Sequence, residues 1–93
     1  MATASKGKKR VTFKIQADTG SNVCVAGDFN DWDPTRKKLT DKAGTGAFQG
    51  IAMLEKGRHE YKFVVNDIWS VDPNCDDWAH DGYGSLNSIV IVG

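Results

Sequence analysis

Two tryptophans set among polar residues are the chemistry-bearing positions of this 93-residue chain. Trp32 is enclosed by Asn30, Asp31, Asp33 and Pro34, so it lies in or beside a polar turn where full burial is hard to arrange. Trp69 follows a tight-turn signal at Asn66-Asp67, with Lys62 on the preceding run. A flat indole face beside ammonium and amide groups matches the C–H face and hydroxyl edge of a sugar. Either indole would serve equally to fill a core gap, because Trp is usually well buried. Trp78 stands in an acidic run and reads as surface packing within a loop.

Other chemistries find less support. His59 falls in a strand-like run and His80 in the acidic loop, no Ser or Cys sits in a nucleophile motif, and the glycines form no phosphate loop. Asp76-Asp77-Trp78-Ala79-His80-Asp81 offers oxygen and imidazole ligands but fails the calcium-loop pattern, so neither metal nor cofactor is expected. Asp28, Asp31 and Asp33 read as turn residues that cap backbone groups. The expectation is a binding protein and not an enzyme.

The elements that must position these residues are strands. Residues 1–10, MATASKGKKR, read as a flexible basic tail, and 11–93 as one domain. Val11, Phe13, Ile15 and Ala17 alternate with Thr12, Lys14 and Gln16, the pattern of a half-buried strand. Runs at 22–26, 47–54, 59–65, 68–71 and 86–92 read likewise, and no stretch has a helical apolar period. The fold class is all-β, an antiparallel sandwich or barrel. A two-residue primed turn at Asn66-Asp67 pairs Val65 with Ile68, Val64 with Trp69, Phe63 with Ser70 and Lys62 with Val71. Tyr61, Phe63, Val65, Ile68 and Ser70 then share a core face, while Lys62, Val64, Trp69 and Val71 share the outer one.

Twelve basic and twelve acidic residues cancel, so no overall field draws the chain to nucleic acid or an anionic membrane. The N-terminus has no secretory apolar core and the two cysteines, Cys24 and Cys75, are too few for a disulfide scaffold, which makes a cytoplasmic location the expectation.

Three stretches together resemble carbohydrate-binding module family 48. They are Val25-Ala26-Gly27-Asp28-Phe29-Asn30-Asp31-Trp32, then Gly57 through Trp69 (GRHEYKFVVNDIW), then Asp72-Pro73 with Asp81-Gly82-Tyr83-Gly84-Ser85-Leu86-Asn87-Ser88. Within that family the chain is similar to the glycogen-binding domain of the AMP-activated protein kinase β subunit and to the early-set domains of branching and debranching enzymes. The Asp81–Gly84 stretch looks like bacterial members. The resemblance implies an immunoglobulin-like, early-set β-sandwich that binds α-1,4-linked glucans such as glycogen or starch. It implies that Trp32 and Trp69 stack on glucose rings, that Lys62 and Asn87 hydrogen-bond to the sugar, and that the loop carrying Tyr83 and Ser85 completes the site. Tyr83 departs from the kinase-type domain, which has there a leucine that reaches through a glucan ring; a tyrosine offers a stacking face instead. An alternative role is a structural or protein-interaction domain of a carbohydrate-active enzyme or kinase complex. Binding of single-stranded nucleic acid is disfavoured by the zero net charge.

Overall fold

The computed structural model describes residues 8–75, 77–80, 82 and 84–93. Seven strands follow in order: β1 (Lys9–Gln16), β2 (Val23–Gly27), β3 (Ala47–Leu54), β4 (Gly57–Val65), β5 (Ile68–Ser70), β6 (Trp78–His80) and β7 (Leu86–Val92). No helix occurs among the described residues. All pairings are antiparallel, with β1 on β3 in one sheet and β2-β4-β7-β6 in the other, where β5 also joins β4. The fold is an all-β sandwich, as the alternating pattern requires.

The core between the sheets takes Phe13 and Ile15 from β1, Phe48 and Leu54 from β3, Val23 and Val25 from β2, Tyr61 and Phe63 from β4, Val92 from β7, and Leu39. Phe13 meets Tyr61 edge-on at 4.9 Å between ring centroids. Residues 37–40 tie the layers together. Val25 N donates to Lys37 O at 3.0 Å and Leu39 N to Val23 O at 2.8 Å, while Thr40 exchanges two backbone bonds with Gln49 of β3.

Strand boundaries differ from expectation in instructive ways. β1 begins at Lys9, because Lys9 and Arg10 pair with Leu54 and Met53 although both face water. Backbone pairing, unlike apolar alternation, leaves no mark on side-chain type. The acidic run is not simply a loop: Trp78, Ala79 and His80 form β6 against Ser88, Asn87 and Leu86. At the hairpin, Asn66 (φ 50°) and Asp67 (φ 69°) form the primed turn, with Val65, Val64 and Phe63 opposite Ile68, Trp69 and Ser70. The strand ends at Ser70, so the expected Lys62–Val71 pair is not made. Ile68, directly after the turn, is 68% exposed and not core, contrary to expectation.

A buried polar unit fastens the segment between β5 and β6. Tyr61 Oη donates to Asp72 Oδ2 at 2.7 Å, and the Asp72 amide donates to Ser88 Oγ at 2.8 Å. Asp72 Oδ1 accepts from the Asn74 amide at 2.9 Å. Burial, and then donation to Asp72, push the Tyr61 phenol well above its ordinary 10.0.

Candidate functional site

β4 alternates: Tyr61 and Phe63 point into the core, so Glu60, Lys62 and Val64 point to the opposite face of the large sheet. β7 pairs with the first half of β4 and the β5 hairpin with its second half, so side chains from β5, β6 and β7 gather beside Glu60 and Lys62. The result is an open cleft of about 530 Å³ lined by Asp28, Trp32, Glu60, Lys62, Trp69, His80 and Asn87.

Trp32 reaches this face through a local device at Gly27. Asn30 Oδ1 accepts from the Gly27 amide at 2.9 Å and its Nδ2 donates to Val25 O at 3.1 Å, while Trp32 N donates to Gly27 O at 2.9 Å. The chain reverses over Gly27 with Asp31 and Trp32 both left-handed, at φ 59° and 56°. A Cβ at Gly27 would lie 2.5 Å from Phe29 Cε2 and 2.6 Å from the Glu60 carbonyl oxygen. Glycine therefore lets Phe29 fold inward onto Phe13 while Trp32 swings outward. Trp32 is half-buried, packed on Cys24, Ala26 and Val64, so it combines a cleft wall with the surface packing of the sheet. It escapes full burial, as its polar turn leads one to expect, but is less open than Trp69, which is 44% exposed.

Among the expected turn carboxylates, Asp33 caps the turn, accepting from the Thr35 amide (2.9 Å) and hydroxyl (2.6 Å), bonds that draw its carboxyl below the usual range. Asp28 does not cap. Its Oδ2 accepts from the Glu60 amide at 3.0 Å and its Oδ1 faces His59 Nδ1 at 3.2 Å, so it bolts the loop to β4.

Lys62 Nζ donates to Ser85 Oγ at 2.8 Å, which brings Ser85 to the hairpin strand. Asn87 is 7% exposed, with its Nδ2 donating to Glu60 Oε1 at 2.9 Å. Glu60 Oε2 accepts from Arg58 Nη1 at 2.7 Å. The Asn87 bond, aided by Arg58, holds the Glu60 carboxyl below its usual range against a smaller opposing effect of burial. Of the six residues singled out in the sequence, Trp32, Lys62, Trp69 and Asn87 line the cleft, Ser85 joins through Lys62, and Tyr83 lies outside the described residues.

Glu60, Asp28 and His80 line the cleft without having been singled out. The alternation that puts Lys62 outside also puts Glu60 outside, a signal available from the strand pattern alone. For His80 no such signal existed, because its strand has only three residues.

The family described as the glycogen recognition site of AMP-activated protein kinase matches residues 10–93. The chain is 38% identical over 83 residues to protein PTST homolog 2, chloroplastic, of Arabidopsis thaliana, covering 89% of this chain and 15% of that protein. It is 33% identical over 73 residues to the 5'-AMP-activated protein kinase subunit beta-1 of Sus scrofa, covering 78% of this chain and 56% of that sequence. Against protein FLOURY ENDOSPERM 6, chloroplastic, of Oryza sativa subsp. japonica, identity is 30% over 69% of this chain and 12% of that protein. The chain thus spans between about an eighth and just over half of these relatives. With the match running through every strand from β1 to β7, this chain belongs to the carbohydrate-recognition family of the AMP-activated protein kinase glycogen site.

Proposed function

We propose that the chain binds α-1,4-linked glucans (glycogen, starch and malto-oligosaccharides) without cleaving them. Glucose rings stack on Trp32 and Trp69, while Lys62, Ser85 and Asn87 hydrogen-bond to hydroxyls and Tyr83 adds a further stacking face. The observation that carries this reading is the convergence of both indoles with Lys62 and Asn87 on one open cleft, in a chain of this family. A sugar covering one indole face removes on the order of 100 Å² of apolar surface, or roughly 2–3 kcal/mol gross at about 25 cal/mol/Å². Two such platforms, less the cost of ordering the ligand, put Kd in roughly the micromolar to millimolar range. The family's description names glycogen recognition and one relative's name is that of a kinase subunit; within a longer polypeptide or beside an enzyme or kinase subunit, this domain would carry that partner to the polymer.

Affinity electrophoresis through gels with and without glycogen or amylose tests the reading. Retardation by either polymer is expected, with no new reducing ends after incubation. Unretarded migration in both gels overturns it.

A further inference from the structure

Glu60 stands in the cleft between Asn87 and Arg58, and we propose that it is a positioning residue which turns the Asn87 side chain so that its carbonyl oxygen, and not its amide NH₂, faces a bound glucan. The inference rests on the glucan reading of the cleft. Its geometric basis is that an ionised carboxylate only accepts hydrogen bonds. Glu60 Oε1 therefore holds the Asn87 Nδ2 end at 2.9 Å, and Glu60 Oε2 is held in turn by Arg58 Nη1 at 2.7 Å. The strand beneath is fixed as well, since the Glu60 amide donates to Asp28 Oδ2 and the Asp28 amide donates to the Glu60 carbonyl, each at 3.0 Å. Asn87 has little freedom of its own: it is 7% exposed and its strand is paired on both sides. Its Oδ1 has no hydrogen-bond donor among the described residues. A sugar hydroxyl that donates to this oxygen fills that place, while the Lys62 ammonium supplies a donor to a neighbouring hydroxyl.

Replacement of Glu60 by glutamine reverses the arrangement by a predictable route. The substituted amide has one oxygen, which the Arg58 cation takes as the stronger, charge-assisted bond. Its NH₂ then faces Asn87, which answers with Oδ1 and turns Nδ2 into the cleft. Protonation of Glu60 has the same effect. Among the described residues, the charged and titratable groups around Glu60 are Arg58 and Lys62 on β4, Asp28 after β2 and His80 on β6. Because the Glu60 carboxyl is held below its usual 4.5, the Asn87 orientation persists on acidification until the pH falls below that value, and is then lost.

Calorimetry with maltoheptaose on the wild type, Glu60→Gln, Asn87→Ala and the double variant tests this. At pH 7, Glu60→Gln is expected to bind about fivefold more weakly, the scale of one hydrogen bond, and to have no further effect on the Asn87→Ala background. The wild type is expected to lose affinity below pH 4.5, and both single variants to lack that step. In the unliganded protein, the Asn87 side-chain amide proton resonances are expected to follow Glu60's titration, a readout that needs no variant and no sugar. Static resonances, or independent effects of the two substitutions, overturn the inference. A wild type that binds no maltoheptaose instead overturns the glucan reading, so the two failures are distinct.

Discussion

Trp69 and Trp32 line one cleft but are held differently, and the difference separates their substitutions. Trp69 is 44% exposed on a hairpin, so Trp69→Ala should cost about 2 kcal/mol of glucan binding and shift stability by no more than about 0.5 kcal/mol. Trp32 also covers Cys24, Ala26 and Val64. Trp32→Ala should therefore lose a similar amount of binding and about 2 kcal/mol of stability, roughly half the cost of truncating a fully buried Trp. Paired melting curves and maltoheptaose titrations decide this; equal loss of stability in both variants would contradict it. Lys62 and Trp69 were legible as neighbours because a two-residue turn fixes register by counting. The half-burial of Trp32 was not legible, because the cluster it covers joins Cys24 and Ala26 of the preceding strand to Val64 of β4, which is remote in sequence.

At the level of elements, the two reversals of chain carry opposite demands. The Asn66-Asp67 turn needs positive φ at both positions, and Asp67 at 69° meets that need at a steric cost that glycine avoids. Asp67→Gly should raise stability by about 0.5–1 kcal/mol, read as an increase in melting temperature, and a decrease would show that the aspartate contributes through its charge. Gly27 is the reverse case, since any Cβ there meets Phe29 and the Glu60 carbonyl. Gly27→Ala should cost at least about 1–3 kcal/mol, the scale of overpacking, and weaken glucan binding by displacing Trp32. Calorimetric unfolding with a parallel binding titration checks both effects. Strands with strict alternation, such as β1, could be read directly, and so could the antiparallel class. β6 could not, because three residues with one apolar face left to solvent give no periodicity. The division of seven strands into sheets of two and five also left no local trace, because residues 37–40 pair with both layers while looking like loop.

Across the whole molecule, the Tyr61–Asp72–Ser88 unit joins the central strand, the crossing segment and the last strand beneath the cleft. Tyr61 holds its proton in the folded state above its ordinary 10.0, whereas the unfolded chain releases it near that value, so the contribution of this group to folding stability is unchanged below about pH 10 and falls as pH rises further. Tyr61→Phe leaves Asp72 one donor short and should cost about 1–3 kcal/mol near neutrality, while shallowing the alkaline decline; melting temperatures from pH 8 to 11 for both proteins test the sign. The three tryptophans also give the molecule an optical asymmetry. Trp78 is 48% exposed on β6 and takes no part in lining the cleft, whereas Trp32 and Trp69 do. Its emission is therefore expected to change little when a ligand enters the cleft and to add a water-shifted background to a fluorescence titration. On the proposed reading Trp32 and Trp69 are expected to report occupancy, and Trp78→Phe yields a protein whose entire tryptophan signal comes from indoles lining the cleft.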